Sequence, residues 1–280
     1  MKTSVSGGML VFLGAFFWSL NAPLVKFLDL DPFLLCGLRS MITSVAMAAF
    51  LRPKKLNWNG WLVLYLVSYC GLCLTIILAL KLTAAPIAVG MQYTATAWLF
   101  LVRCLKQRRF DRRGFLPICV ILAGMVIFMC SGTDSGSRVG NLIALSTGVI
   151  FACLTVSAKK AAGTNVLGLT AIGNFFTAAV MPLLFPASFS GISTMTGSDW
   201  GIMLLLGTVQ VGCGYAFYNM GIQKVSPQKA SVLSLWEMIL GPAWVALFLK
   251  EYPTPLVLTG FAVILLGMLL DAKMSSEPAA

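Results

Sequence analysis

The sequence predicts an all-α integral membrane protein: ten transmembrane helices arranged as two inverted five-helix repeats. Three observations carry that prediction. Of the 280 residues, 59% are apolar and only 10% charged, where soluble domains run at roughly 45–50% apolar and about a quarter charged. A chain this poor in charge cannot cover a water-facing surface, so a soluble enzyme, a disordered chain and a nucleic-acid-binding protein are all excluded. Apolar runs of about 20 residues, the length that crosses a bilayer, take up nearly the whole sequence. The second half also repeats the first at a nearly fixed offset.

Bounded by charge, Pro or Gly, the first run spans 7–27 and follows the short basic lead Met1-Lys2-Thr3-Ser4. No small-residue cleavage site follows it, so it is expected to be retained as the first helix. Within it, Trp18, Ser19 and Asn21 precede Pro23, which lacks a donor and frees the carbonyl of Ser19. Span 2, 32–51, holds Arg39. Span 3, 58–80, opens on Trp58 and Trp61, where amphipathic rings favour the interface. Its Cys70 and Cys73 form a C-x-x-C inside an apolar run, which reads as packing rather than redox or metal chemistry. Span 4, 84–105, carries Pro86, Gln92 and Tyr93, and span 5 covers 113–131. Gly/Ser/Thr-rich loops are expected from Ser131 to Arg138 and from Pro186 to Asp199, on either side of span 6 (139–158) and span 7 (166–185). Asn174 and Pro182 lie in span 7, and Tyr215, Tyr218 and Asn219 in span 8, 200–222, which opens on Trp200. Span 9, 227–248, contains Trp236, Glu237, Pro242 and Trp244; span 10 covers 255–271. Pro86, Pro182 and Pro242 are expected to interrupt their helices as Pro23 does, as kinks, hinges or ligand sites.

Ten crossings put both termini on one side. Basic residues crowd a few loops, as in Arg52-Pro53-Lys54-Lys55 and the run Arg103, Lys106, Arg108, Arg109, Arg112, Arg113. With the termini in the cytoplasm, about 15 basic residues fall inside and only Lys26, Lys81, Arg138 and Lys250 outside, in keeping with the positive-inside rule. The expected location is the cytoplasmic membrane. Eight cysteines lie almost entirely in apolar segments and suggest no disulfide framework. The absence of histidine removes the commonest catalytic base and metal ligand, so no cofactor and no metal are expected.

An offset of 134 places Gly14 on Gly148, Phe17 on Phe151, Leu20 on Leu154, Lys26 on Lys160 and Met47 on Met181. Beyond span 2 the offset becomes 142, pairing Trp58 with Trp200, Leu64 with Leu206 and Ala88 with Ala230; Gly124 then meets Gly267 one residue further on. The repeats divide at 1–135 and 136–280 and together form one transmembrane domain. Because each half has an odd number of spans, the second must enter the membrane upside down. That is the architecture of many secondary transporters, whose sites lie near the midplane between the halves. Spans 1 and 6 are expected to face each other across the pseudo-two-fold axis.

Glu237 lies about ten residues into span 9, roughly 15 Å deep at 1.5 Å per residue, and is the only carboxylate so placed. A charge there costs about 2.5–3.5 kcal/mol on insertion scales, so it should face a cavity or a partner. Its first-half equivalent is Ala95, so repeat symmetry does not explain it. It reads as a proton-binding or amine-binding group, desolvation favouring the neutral carboxyl that proton coupling uses; a structural glutamate is the alternative. Arg39, roughly 10 Å from the outer surface, suits a substrate carboxylate, an ion pair with Glu237, or a place among the headgroups. Trp18, Asn21, Gln92, Tyr93, Asn174, Tyr215, Tyr218, Asn219 and Trp236 complete the candidate substrate-binding set. Interhelical hydrogen bonding or interface anchoring is the plainer role for each. An aromatic ring beside Glu237 suits an amine through cation–π and ionic attraction, and Trp236 and Trp244, eight apart, share a helix face.

The segment Ala79-Leu80-Lys81-Leu82-Thr83-Ala84-Ala85, followed by Gln92-Tyr93-Thr94, resembles the third-to-fourth helix signature of the drug/metabolite transporter superfamily, EamA type. Its second-half counterpart runs Gly221-Ile222-Gln223-Lys224-Val225-Ser226, then Ala230, then Leu233-Ser234-Leu235-Trp236-Glu237, and closes with Leu249-Lys250-Glu251; Arg39, Gly124 and Gly267 also fit. Two departures stand out: Met238 rather than Pro follows Glu237, and Arg109 replaces the acidic residue common at the end of helix four. The resemblance covers essentially the whole chain and implies a ten-helix transporter of small metabolites, often amino acids or related compounds, and often an exporter.

The function expected is therefore secondary active transport of a small polar metabolite by alternating access, in the export direction, with proton coupling through Glu237. A facilitative channel or uniporter for a neutral metabolite is the alternative, and an intramembrane enzyme the remotest reading. No phosphate-binding loop of the form G-x-x-x-x-G-K-[ST] occurs, which argues against direct ATP drive. Asp29, Asp31, Asp134 and Asp199 all fall in outer loops, so an aspartyl dyad lacks its second buried acid. The expected partners are the substrate, protons and the lipid bilayer, and no nucleic acid. A closed inverted repeat has no evident need of a second chain, so a monomer suffices and the oligomeric state stays open.

Overall fold

The computed structural model describes residues 6–51, 58–107, 112–131, 135–161, 166–225 and 227–274. Lys2, the basic cluster at 52–55, Arg108, Arg109 and Asp134 lie outside them. Every regular element among the described residues is helical. Among the described residues, nine helices are long and apolar enough to cross a membrane; the fifth span is a shorter apolar helix, Gly114–Cys130.

Span ends follow local chemistry. Ser6 accepts from the amide of Met9, and Asn59 from that of Leu62. Asp31, one of the acids expected in outer loops, caps span 2 (Pro32–Leu51) by accepting from Phe33 and Leu34. Asp199 closes a capping box with Thr196 at the head of span 8. These bonds satisfy amide donors that a helix leaves unpaired in its first turn. The connection from Pro186, expected to be a loop, is instead a short 3-10 helix, Pro186–Thr194, and span 6 begins early, at Ser135, and runs to Ala161.

Three spans are not uniform α-helices. Span 1 is Gly7–Ser19 and Asn21–Phe27 with a break at Leu20. Span 4 is Ala85–Gln92 and Ala95–Gln107 with a tight turn at Tyr93 and Thr94. Span 8 is Gly197–Leu204 and Gly214–Ile222 joined by a π-helix, Leu205–Cys213. Of the prolines expected to interrupt their helices, only Pro23 lies beside a break in the helix. Pro182 and Pro242 lie inside unbroken helices, Val166–Leu184 and Pro227–Leu249, while Pro86 occupies the first turn of its helix, where a missing donor costs nothing. Spans 3, 5 and 10 are Gly60–Leu82, Arg112–Cys130 and Pro255–Met274.

Packing obeys an inverted two-fold pattern. Span 1 packs on spans 8 and 9, and span 6, five places on, packs on spans 3 and 4; spans 2 and 7, 4 and 9, and 5 and 10 pair across the axis. Spans 1 and 6 thus lie on opposite flanks rather than packing together. The symmetry reaches single residues. A Cβ on Gly124 would stand 2.6 Å from Cγ1 of Ile264 and 2.9 Å from the carbonyl of Gly260; on Gly267 it would stand 2.6 Å from Cγ1 of Ile121 and 3.1 Å from the carbonyl of Pro117. Each contact maps onto the other under the repeat. Small residues that let backbones approach are how helices pack where lipid is as apolar as the side chains.

Loop contacts sort the two ends. At one end Gly7 abuts Lys224, and the ammonium of Lys160 lies 3.8 Å over the ring of Trp61. At the other, Lys26 pairs with Glu251 at 2.6 Å, Lys81 donates to the carbonyl of Leu28, and Thr83 donates to Asn141. Glu251 follows Lys250, the one non-glycine residue of positive φ (55°) among those described, which turns the chain out of span 9.

Replacing Gly124 or Gly267 with Leu should lower the thermal unfolding temperature of the purified protein by the equivalent of about 1–3 kcal/mol. Val126→Leu, at a position 56% exposed on the helix exterior, should leave it unchanged. Equal temperatures for all three variants would show that spans 5 and 10 do not meet at these glycines.

Candidate functional site

A cavity of about 470 Å³ occupies the space between the repeats. Spans 1, 3, 4, 6, 7, 8, 9 and 10 all reach it, with Arg39 from span 2. Phe151 and Thr155 of span 6 line it together with Trp18 and Asn21 of span 1, so the two spans share the cavity. Toward the end bearing the termini it reaches Tyr65, Leu169 and Thr170, each within a few residues of a span end. Toward the opposite end it narrows to a pocket large enough for about one water, lined by Trp18, Asn21, Gln92, Glu237 and Gly241.

Each interrupted span delivers residues here. The break at Leu20 separates Trp18 from Asn21, and both line the cavity. The carbonyl of Ser19, freed by Pro23, looks toward Gly241, where a Cβ would stand 3.6 Å away. The turn in span 4 presents Gln92 and Tyr93, with the hydroxyl of Thr94 donating back to the carbonyl of Met91. The π-helix of span 8 sets Gln210 and Val211 on the wall. π-Segments recur at functional sites because they redirect side chains at the cost of regular hydrogen bonding.

Two opposite charges line the cavity without touching. Glu237 accepts from the hydroxyl of Tyr93 at 2.9 Å. A carboxylate offers about four acceptor positions, so most of its capacity stays open. Arg39 is 4% exposed, and its Nη1 donates to Oδ1 of Asn21 at 3.0 Å. The ion pair between Arg39 and Glu237 envisaged from their depths does not form. Trp18 supplies the aromatic wall, its ring 4.9 Å from that of Tyr215 and 4.7 Å from that of Tyr218. Gly214 makes room for it, since a Cβ there would stand 2.5 Å from the indole.

Eight of the eleven residues singled out from the sequence line this cavity: Glu237, Arg39, Trp18, Asn21, Gln92, Tyr93, Tyr215 and Tyr218. Three do not. Asn174 is buried behind the wall, donating to the hydroxyl of Tyr69 at 2.7 Å and to the carbonyl of Thr170. Asn219 spends its amide on the carbonyl of Tyr215, four residues back in its own helix. Trp236 is 42% exposed and meets the edge of Phe12 on the bundle exterior, so Trp18 rather than Trp236 is the ring near Glu237. Trp244, on the same face as Trp236, packs against Phe16 and donates to Ser19. Sequence reasoning missed Gln210, Tyr65, Tyr69, Cys73 and Ser234, all on the cavity wall. Gln210 is a lone amide in the apolar run 202–213 and carried the same signal as Gln92. Cys70 and Cys73 are free and buried.

Tyr93→Phe leaves Glu237 with no hydrogen bond from the protein. On the scale of one bond to a charged group, about 1.5–3 kcal/mol, the variant should lose about tenfold or more in apparent substrate affinity in reconstituted transport. Unchanged affinity would mean that the Tyr93–Glu237 bond plays no part in the site.

The profile of the EamA-like transporter family matches residues 5–130 and again residues 138–271. No curated protein matches the chain. One solved structure, described only as "Crystal structure of protein", is 19% identical, with the alignment covering 98% of this chain and 99% of that one at a TM-score of 0.65; that likeness speaks for the fold alone. With two repeats matched over nearly its whole length, an inverted bundle and a central cavity, the chain belongs to the EamA-like transporter family and is a membrane transporter of the drug/metabolite type.

Proposed function

We propose that this protein is a secondary active transporter that exports a small amine-bearing metabolite, an amino acid or a related compound, across the cytoplasmic membrane by alternating access. Glu237 holds either the substrate's ammonium or the coupling proton. The observation that carries this reading is the state of Glu237: among the described residues it is the only carboxylate on the cavity wall, with one donor from Tyr93 and no cationic partner. A buried charge is retained at a cost of several kcal/mol only where something offsets it, and a migrating cation or proton is such a thing. The apolar and aromatic walls with few polar groups are typical of a small-molecule site. The Lys26–Glu251 pair and the bond from Lys81 to Leu28 tie together loops at the end remote from the termini. They supply contacts that break when that end opens.

Counterflow in proteoliposomes tests the carrier reading. Vesicles preloaded with unlabelled amino acids should accumulate the external labelled one transiently, whereas a channel gives no overshoot. Glu237→Gln should lower this exchange about 100-fold or more, the scale of losing the partner of a buried charge. Exchange at wild-type rates in Glu237→Gln would remove Glu237 from both roles. If the variant keeps counterflow but loses transport driven by a pH gradient, Glu237 is the proton site.

Orientation has its own test. A fluorescent protein fused after Ala280 should light up in the cytoplasm, and alkaline phosphatase inserted after Ser188 should be active outside. The reverse pattern would invert the assignment of the basic loops.

A further inference from the structure

Three cavity residues keep a buried polar atom without a partner: Nε1 of Trp18 and Nε of Arg39, both donors, and Oε1 of Gln210, an acceptor. Arg39 and Gln210 are the two of these that are more than nine-tenths buried, at 4% and 5% exposure. An unpaired buried polar atom costs about 1–3 kcal/mol, and native interiors rarely keep one without a role. Their opposite polarity on one wall narrows what completes them: a ligand with an acceptor and an adjacent N–H donor.

The π-helix of span 8 holds the two together. Gly207 lies within it, where a Cβ would stand 2.5 Å from Ile42 and 3.2 Å from the carbonyl of Arg39. The hydroxyl of Thr43 lies within hydrogen-bonding distance of both that carbonyl (2.9 Å) and the carbonyl of Gly207 (3.0 Å). Span 2 is thus stapled to the π-segment at the residue that carries the guanidinium. Three residues on, Gln210 donates its amide to the carbonyl of Trp18 at 3.4 Å, which turns its oxygen away from that contact. Asn21 takes Nη1 of Arg39 and also lines the small pocket with Glu237. The arrangement therefore runs from the Arg39–Gln210 wall through Asn21 to Glu237.

We propose that Arg39 and Gln210 form the carboxylate end of the substrate site, Arg39 setting the preference for the acid and Gln210 holding the N–H beside it. Arg39 binds the carboxylate, for which a guanidinium is geometrically suited, and Oε1 of Gln210 accepts from the N–H on the neighbouring carbon. The cavity then selects a 2-amino carboxylate over the amine left when the carboxylate is removed. A site built to hydrogen-bond a group rejects the analogue lacking it, because its own polar atoms go unpaired. This inference rests on the cavity being the transport site, and it adds the pole that Glu237 does not supply.

Binding to the purified protein is measured by titration calorimetry for three acid–amine pairs: leucine and isopentylamine, phenylalanine and 2-phenylethylamine, lysine and cadaverine. 3-Phenylpropionate, which has no amine, is the seventh probe. In at least one pair the amino acid should bind the wild type about tenfold or more tightly than its amine. Arg39→Gln should erase that ratio, whereas Gln210→Leu, which removes an acceptor for the N–H that both members of a pair carry, should weaken acid and amine together by about tenfold, a split between the two variants that a merely structural loss would not produce. Gln210→Glu, nearly the same size, should pair with Arg39 and reverse the preference. Equal affinities within every pair, an acid–amine ratio kept in Arg39→Gln, or unchanged affinities in Gln210→Leu would overturn the inference and leave the amine-transport reading standing. Binding of 3-phenylpropionate alone, lost in Gln210→Glu, would support the carboxylate end and overturn the amine reading. No binding of any probe would overturn both.

Discussion

In hydrocarbon no water is present to satisfy a free backbone amide or carbonyl, and each orphan costs several kcal/mol. That constraint explains why the described chain is helical throughout and why its departures from α-helix carry information. Breaks in spans 1 and 4 and the π-segment of span 8 are tolerable only where protein or a water-filled cavity takes over from the missing bonds. All three deliver residues to the same cavity. Irregular backbone and polar lining are two consequences of one requirement.

The frame around the cavity is held differently. Spans 5 and 10 meet through Gly124 and Gly267, in contacts that repeat each other under the inversion. A dyad of rigid glycine contacts leaves the cavity walls free to differ between halves. Glu237 faces the cavity where the first half has Ala95, and the Lys26–Glu251 pair ties one end of the bundle. On the proposed reading, a symmetric scaffold supports two interchangeable arrangements, while the asymmetric side chains decide what is carried.

Much of this was legible in the sequence, because span length and composition are set by bilayer thickness and survive any detail of packing. The repeat was legible for a related reason: the glycines that mark it sit where a side chain would collide with a backbone. Residues on the cavity wall were legible where one polar group interrupts an apolar run, as at Glu237, Arg39 and Gln92. Trp236 was misplaced because adjacent residues on a helix point about 100° apart, so it turns outward when Glu237 turns in. Asn174 and Asn219 give the same sequence signal as a lining residue, yet each finds a carbonyl one turn back in its own helix. Gln210 was overlooked in a segment read as regular α-helix, whereas the π-turn resets which side chains face the cavity. Pro182 and Pro242 show that a proline in a membrane helix need not end it.

The most direct test of the account is the side from which water-soluble reagents reach the cavity. In a background with the native cysteines replaced, Ser234→Cys puts a thiol on the cavity wall, and Met220→Cys puts one at a position 52% exposed on the bundle exterior. Alternating access predicts that a membrane-impermeant thiol reagent modifies position 234 from either side of the membrane and leaves position 220 untouched. Modification of neither position from either side, or of position 220 in preference to 234, would contradict a solvent-reached transport cavity at the helix interruptions.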